Sequence, residues 1–267
     1  MSERIRKSWN KWSDEHFKRG VTDMDTIKGN PVRAFPRDIR EMLTTAAPEL
    51  KGKRVLVPSS GDNQAAFGFS LLGAKVTSTD IAEKQLENAQ RIANMNGFPQ
   101  IEFRQADSMA LDGIPDGEFD LVYTSNGTHV WISDLMRMYR SFYRVLKPGG
   151  AYVFFDTHPF HRPFNEETWE RERIVRFIKP YTATGPFFEE RNDRLPTFEW
   201  RVQDFLQALL SAGFTLTDYR DMRSCGDDLA AFAFVDQSQY DWTVYPFAAL
   251  PSWLGVSAVK KQGHGTV

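Results

Sequence analysis

Small and acidic side chains follow three successive predicted strands, where a parallel sheet would bring them together. Ser59, Gly61 and Asn63 lie in the turn after the apolar run VLVP, Asp80 ends the next strand, and Asp107 follows the third. Small residues let a ligand approach backbone N–H donors. A carboxylate such as Asp80 can accept hydrogen bonds from both hydroxyls of a ribose, and Asp107 can accept one from an adenine amino group. Each acid alone could instead cap a helix, but the set at three strand ends favours a nucleoside site.

Strands and helices alternate through the middle of the chain, which predicts the elements that position these residues. The predicted strands are Lys53–Pro58, Ala74–Asp80, Ile101–Gln105, Phe119–Thr124 and Ala151–Asp156, and the predicted helices are Gln64–Leu72, Ala82–Asn96, Ser133–Leu146 and Arg201–Ala212. This alternation indicates an α/β fold with a doubly wound, mostly parallel sheet. Two late strands, Phe214–Met222 and Leu254–Lys260, have no convincing helix between them and should pair antiparallel. The expected sheet therefore has seven strands, with an antiparallel last strand.

The composition limits the classes of protein and partner. The 267 residues include 33 Lys and Arg against 35 Asp and Glu, a net charge of −2, so no basic field indicates nucleic acid binding. The single cysteine, Cys225, allows no internal disulfide and no cysteine-based zinc site, and it suits a reducing cytoplasm. No apolar run approaches the ~20 residues of a membrane-spanning helix, and the amino terminus lacks the apolar core of a signal peptide. We expect a cytoplasmic monomer or homodimer that acts on a small molecule and holds no metal.

The pattern around the first turn distinguishes between nucleoside cofactors. A dinucleotide fingerprint, G-x-G-x-x-G, would need glycines where this chain has Ser59 and Gln64, which weakens NAD or FAD. The residues from about Lys51 to Lys260 instead resemble class I S-adenosylmethionine-dependent methyltransferases, in the small-molecule branch that includes the ubiquinone/menaquinone biosynthesis methyltransferases. The segments that carry the resemblance are VLVPSSGDN, GAKVTSTDIAEKQLENAQ, QADS, FDLVYTSNGTHV, RVLKPGGAYVFF and LLSAGF.

The resemblance implies a Rossmann-like methyltransferase fold, S-adenosyl-L-methionine as cofactor, and a role for each matching residue. Ser59, Gly61 and Asn63 would surround the methionine part, Asp80 would take the ribose, Ile81 and Gln85 would flank the adenine, Asp107 and Ser108 would meet its edge, and Ser125 and Asn126 would form the floor near the sulfonium. The chain departs from the family at Val57, where an acid is usual, and at two of the three loop glycines. Asn63 is a plausible substitute for one of them because Asn tolerates positive φ.

Histidines after the fourth and fifth strands are candidate general bases. His129 lies in SNGTHVW, and His158 and His161 lie in DTHPFHRP. With a reference pKa near 6.5, any of them could accept a proton from a phenol, hydroxyl or ammonium. Alternatively, His129 could pack against the cofactor or cap a turn, and His158 could close a turn before Pro159. A carboxylate or neutral amine acceptor would need no base.

Segments outside the alternating core should set specificity. We expect a single methyltransferase domain over residues 1–267, with N-terminal lid helices at 1–50, a cofactor-binding core at 51–157, a substrate-cap insertion at 158–200, and the C-terminal part of the sheet at 201–267. The covering aromatic residues are Trp9, Trp12 and Phe17, with His16, then Phe160, Phe164, Trp169, Phe177, Tyr181, Phe187, Phe188, Phe198 and Trp200, and finally Tyr240, Trp242, Tyr245, Phe247 and Trp253. Most would close small peripheral cores; together they favour an apolar or aromatic acceptor. Two alternatives remain: a catalytically reduced cofactor-binding sensor or partner protein, and a nucleotide-dependent oxidoreductase.

Overall fold

The computed structural model describes residues 2–18, 24–61, 64–98, 100–164, 166–222 and 241–262. Asn63, Cys225 and Tyr240 lie outside the described residues, as does the side chain of His16. Within these ranges no helix is long and apolar enough to cross a membrane. The same ranges contain no group of three or more His, Cys, Asp or Glu residues that could hold a metal ion.

The main sheet has seven strands in the order β3-β2-β1-β4-β5-β9-β8. The strands are β1 (Arg54–Pro58), β2 (Lys75–Asp80), β3 (Glu102–Gln105), β4 (Phe119–Thr124), β5 (Leu146–Thr157), β8 (Phe214–Met222) and β9 (Trp253–Lys260), while β6 (Phe187–Phe188) and β7 (Pro196–Thr197) form a separate antiparallel pair. The strands from β3 to β5 pair in parallel. β9 runs antiparallel to both β5 and β8. The predicted fold class is therefore confirmed. The order of the strands reverses between β1 and β4, and open sheets of this kind bind ligands at such a point.

Helices cover both faces of the sheet. They are α1 (Ser2–Lys18), α2 (Met24–Gly29), α3 (Arg37–Ala46), α4 (Gln64–Leu71), α5 (Glu83–Asn96), α6 (Leu135–Val145), α7 (Glu166–Glu172) and α8 (Val202–Ser211). Alternate strand residues point to opposite faces, so Val55 packs in the core beneath α3 and α4, and Leu56 packs in the core beneath α6 and α8. This separation into two cores makes the sheet doubly wound.

The connection between α6 and β5 differs from the sequence prediction. The helix begins at Leu135 because the Asp134 side chain accepts a hydrogen bond from the backbone N–H of Arg137 at 2.9 Å. Leu146, predicted as the helix end, begins β5 and pairs with Phe119. The run KPGG, predicted as a turn, lies within β5 where its pairing with β4 shifts register.

The N-terminal range divides into two parts with different surroundings. Residues of α2 and α3 belong to a hydrophobic core, and Ile27 and Ile39 are fully buried there. A Cβ added to Gly68 of α4 would lie 2.5 Å from the Cβ of Ala34, so the turn before α3 packs directly on that helix. By contrast α1 packs against α5, and its residues, including the buried Ile5, belong to neither core.

Candidate functional site

The turn after β1 is closed onto the acid at the end of β2. Ser59 and Gly61 both have φ of +50°, in the left-handed region that favours glycine. The backbone N–H of Gly61 donates to Asp80 Oδ2 at 3.0 Å, and that of Ala82 donates to Oδ1 at 2.9 Å. These two contacts orient the carboxylate of Asp80, which is 8% exposed.

The end of β3 meets the same turn. Ser108 Oγ lies 2.7 Å from Ser59 Oγ, and the Ser108 carbonyl accepts a hydrogen bond from Ser141 Oγ at 2.6 Å. Asp107 is half-buried, and its Oδ1 accepts the backbone N–H of Met109 at 2.9 Å. Asp107 therefore closes its own turn beside Ser108; no helix follows it directly in the described range 100–164, so it does not cap a helix, and its contact with the adenine stays a prediction.

A buried polar chain joins α1 to the adenine side of the predicted site. Gln85 is 6% exposed, and its Oε1 accepts a hydrogen bond from Ser13 Oγ at 2.9 Å. Ser13 Oγ in turn accepts one from Asn88 Nδ2 at 3.0 Å. A Cβ built on Gly61 would lie 3.1 Å from Gln85 Nε2, so glycine allows this close approach. Ile81 is half-buried beside them, and its carbonyl accepts Gln105 Nε2 at 3.0 Å.

The segment after β4 is half-buried at Ser125 and exposed at Asn126, and a short 3-10 turn from His129 to Trp131 follows. The ring of Trp131 lies 5.7 Å from that of Trp9 and 6.0 Å from that of Trp12, centroid to centroid. Helix α1 therefore covers this segment with aromatic surface.

Residues of the predicted cap insertion hold the same segment by hydrogen bonds. The backbone N–H of Phe198 donates to the carbonyl of Val130 at 2.8 Å, and Trp200 Nε1 donates to the carbonyl of Ile132 at 3.0 Å. The rings of Phe198 and Trp200 are stacked, 5.5 Å apart. Residues 130–132, at the far end of the segment, are thus held between α1 and the insertion.

His129, a predicted base, is only 2% exposed, and both ring nitrogens have partners. Nδ1 lies 2.8 Å from Asp156 Oδ2, and Nε2 lies 3.1 Å from the Tyr139 hydroxyl. The ring packs between Phe154 and Phe205, at centroid distances of 4.6 and 4.9 Å. These contacts hold the ring between two phenylalanines, and the role of His129 as a base stays a prediction.

The charge on Asp156 determines which atom donates in its hydrogen bond with His129. Burial opposes the charge on Asp156, but the hydrogen bond and charge of His129, with Arg162 and the Thr157 N–H, hold the pKa of this carboxyl below its usual value. Burial raises the pKa of the Tyr139 phenol well above its usual value, so it remains a hydroxyl. An ionised Asp156 can only accept, so it receives the hydrogen of His129 Nδ1. The Tyr139 hydroxyl lies within hydrogen-bond distance of His129 Nε2.

His158, the second predicted base, has a fully buried side chain. Its Nδ1 accepts the backbone N–H of Phe160 at 3.2 Å, so its Nε2 carries the hydrogen and donates to Asp221 Oδ1 at 2.9 Å. Burial lowers the pKa of the His158 imidazole, outweighing the Asp221 hydrogen bond that would raise it. The contacts of His158 fit the turn-closing alternative, and its role as a base stays a prediction.

The described residues fit the cofactor that the sequence indicates. The oriented carboxylate of Asp80 suits the ribose of the cofactor, and the turn at Gly61 suits the methionine part beside it. Val57 is buried in an apolar core, so β1 brings no acid to the site. Gln64 Oε1, in the first residue of α4 after the turn, is buried and has no hydrogen-bond partner within the part of the chain that the structure describes. Such an acceptor suits a donor group of a ligand.

Sequence reasoning missed Asp156, Tyr139 and Ser13. Asp156 is the second-last residue of β5, so the reasoning that selected acids at other strand ends would have found it. Tyr139 and Ser13 carry no comparable signal, because each meets its partner only through the packing of a helix.

Comparisons with known proteins agree with this geometry. A family model described as a methyltransferase domain matches residues 56–154. The S-adenosyl-L-methionine-dependent Diels-Alderase iccD of Talaromyces variabilis is 28% identical over 213 residues, 78% of this chain and 68% of that protein. The ubiquinone/menaquinone biosynthesis C-methyltransferase UbiE of Escherichia coli is 33% identical over 181 residues, 64% of this chain and 70% of that protein.

Among solved structures, an S-adenosylmethionine-dependent methyltransferase from Mesorhizobium loti shares the fold. Its TM-score is 0.62 at 23% identity, over 82% of this chain and 96% of that chain. The reversed strand β9 also counts against the oxidoreductase alternative. Because the match to UbiE extends over more than two thirds of that enzyme, the chain belongs to the class I S-adenosylmethionine-dependent methyltransferases.

Proposed function

We propose that this protein transfers a methyl group from S-adenosylmethionine to a small apolar or aromatic acceptor, by in-line attack on the sulfonium methyl. The observation that carries the proposal is that the residues after β1, β2 and β3 meet. The backbone N–H of Gly61 donates to Asp80, and the hydroxyl of Ser59 contacts that of Ser108. Small side chains, backbone donors and an oriented acid therefore lie next to each other at this edge of the sheet.

Each site residue has a role in this proposal. Asp80 binds the ribose hydroxyls, Ile81 and Gln85 flank the adenine, and Asp107 and Ser108 meet its edge. Ser59, Gly61 and Asn63 surround the methionine part, and Ser125 and Asn126 form the floor. Gln64 Oε1 accepts a hydrogen bond from the cofactor's amino group. It replaces the acid that the family usually has at the position of Val57.

The acceptor side is proposed to work by enclosure. When bound, the cofactor supplies a methyl group already activated for transfer. The rings of Trp9 and Trp12 pack against Trp131 at the end of the segment after β4. In this proposal they exclude water, which favours an apolar acceptor held in line. The ring nitrogens of His129 and His158 are engaged within the protein, so positioning rather than proton removal by either histidine drives this scheme.

The same engaged histidines, together with Val57, favour one second candidate: a protein that binds the cofactor without transferring its methyl group. The name of the relative iccD describes a Diels-Alderase that depends on S-adenosyl-L-methionine. For this chain, such a role would keep the cofactor intact while a separate substrate reacts.

One experiment separates these functions. Calorimetric titration with S-adenosylmethionine, S-adenosylhomocysteine and NAD should show binding of the first two only. Incubation with methyl-labelled S-adenosylmethionine and a panel of phenols, quinols and amines should then label an apolar or aromatic acceptor. Cofactor binding without label in any acceptor would favour the second candidate, and binding of NAD alone would overturn both.

A further inference from the structure

A single buried carboxylate connects three parts of the molecule. Asp156 Oδ2 accepts hydrogen bonds from both the ring Nδ1 of His129, at 2.8 Å, and its backbone N–H, at 3.3 Å. Asp156 Oδ1 accepts the backbone N–H of Thr157 at 2.7 Å and lies 3.9 Å from Arg162 Nη2. Asp156 therefore joins the end of β5, the segment after β4, and the first turn of the cap insertion.

The two hydrogen bonds from His129 fix the backbone as well as the ring. The ring is held on its other side by the Tyr139 hydroxyl and by Phe154 and Phe205. A displacement of the backbone at residue 129 would break both bonds to Asp156 and leave a buried carboxylate short of donors, which is costly. Ser125 and Asn126 precede this anchor by only a few residues.

We propose that Asp156 is a positioning residue that acts through His129 to hold the segment Ser125–Trp131 in place beside the cofactor, and that His129 serves as a strut. The effect on turnover rests on the proposed function. The anchoring itself does not, because it concerns the backbone of residues 125–131.

Substitutions at His129 separate a strut from a base. In H129N the amide nitrogen can take the place of Nδ1 and still donate to Asp156. In H129Q the amide nitrogen reaches instead toward the position of Nε2, and H129A has neither. None of the three can act as a base, so H129N tests rescue of the anchor without rescue of proton transfer.

The readout is hydrogen exchange of peptides that cover residues 125–132, with residues 119–124 of β4 as the internal control for folding. We expect H129A, H129Q and D156N to exchange about tenfold faster or more in the first region, and H129N to stay close to the parent protein. Should D156N fail to fold, the three His129 variants carry the test alone. Equal exchange in H129N, H129Q and the parent would overturn the proposal.

Turnover with a labelled acceptor gives the second readout. A displaced floor should lower turnover in H129A and H129Q by about 10²-fold, with H129N recovering most of the loss. If turnover falls equally, by about 10²–10⁴-fold, in all three variants while hydrogen exchange is unchanged, His129 acts as a base and the proposed positioning role is wrong. If the exchange pattern holds but the parent transfers no methyl group, the proposed function fails and the anchor stands.

Discussion

At the scale of single residues, the acids at the strand ends differ in what holds them. Asp80 receives backbone N–H groups from the turn after β1 and from the start of α5. Asp107 receives one from its own turn, and Asp156 is buried against His129. A carboxylate held from both sides cannot rotate away from a ligand, so we assign the largest share of cofactor recognition to Asp80.

Replacing Asp80 tests this assignment. We expect Asp80→Ala to weaken binding of S-adenosylmethionine by roughly 1–3 kcal/mol, because a charged hydrogen-bond partner is lost. Asp80→Asn should also weaken binding, since its amide NH₂ would face one of the two backbone N–H donors. Calorimetric titration measures both, with Glu87→Gln on the exposed face of α5 as control. Unchanged affinity in Asp80→Ala would remove the ribose assignment.

Gln64 gives a second residue-scale prediction. Gln64→Leu keeps a side chain of similar size but removes the buried acceptor. We expect about 1 kcal/mol weaker binding of S-adenosylmethionine. The matched ligand is a cofactor analogue without the amino group, which should bind the parent and the variant equally. A Gln64→Leu variant with parental affinity for both ligands would argue against contact between Gln64 and the amino group.

The pH dependence of stability should reveal His158. Its pKa is lowered in the folded protein, so the unfolded chain takes up the proton first as the pH falls. The contribution of neutral His158 is therefore fully present above its ordinary pKa, near 6.5, and is lost as the pH falls below it.

His158→Gln can keep a donor toward Asp221 without this titration. Urea unfolding at about pH 7.5 and about pH 5.5 should show a smaller loss of unfolding free energy in the variant than in the parent. Equal losses in the two proteins would mean that other groups account for the acid sensitivity.

At the scale of elements, the sequence predicted what depends on local pattern. Both late strands and the five parallel ones were recognised within about two residues at most ends, except where the register shift in KPGG extends β5 back to Leu146. Alternation and capping signals are local, whereas a register shift arises from pairing with β4. The site was predicted where it follows strand ends, as at Asp80. The surroundings of His129 were not, since Tyr139 and Asp156 approach it only when α6 and β5 pack.

The cover formed by α1 can be tested by truncation. We propose that the lid within residues 1–50 is limited to α1, because α2 and α3 lie in a core. Removing residues 1–18 should leave a cooperative unfolding transition but lower turnover sharply, since an enclosing element contributes to rate. Removing residues 1–30 should lower the free energy of unfolding by about 2–5 kcal/mol or more, because the buried Ile27 is lost. Full turnover after the shorter truncation would show that α1 is dispensable.

At the scale of the whole molecule, the cofactor should stabilise the fold, because the proposed site joins strands, α1 and α5. Binding to the native state alone adds about 2.7 kcal/mol at a concentration of 100 times Kd. For a domain of this size that corresponds to a rise in Tm of about 5–10 °C. Thermal melts with S-adenosylhomocysteine should show this rise, and melts with NAD should not. Equal shifts with the two ligands would contradict the specificity proposed for the turn and Asp80.

The position of β9 determines the order in which the sheet can be completed during synthesis. Residues 253–260 lie between β5 and β8, yet they leave the ribosome after both. Until then, the apolar run 151–156 of β5 presents an unpaired strand edge, and β8 has no neighbour in the sheet. Long-range pairing of this kind is slow, and exposed edges invite association with other chains. The nascent protein therefore depends on β9 to close this edge, and ribosome stalling before residue 253 should leave it open to chaperones.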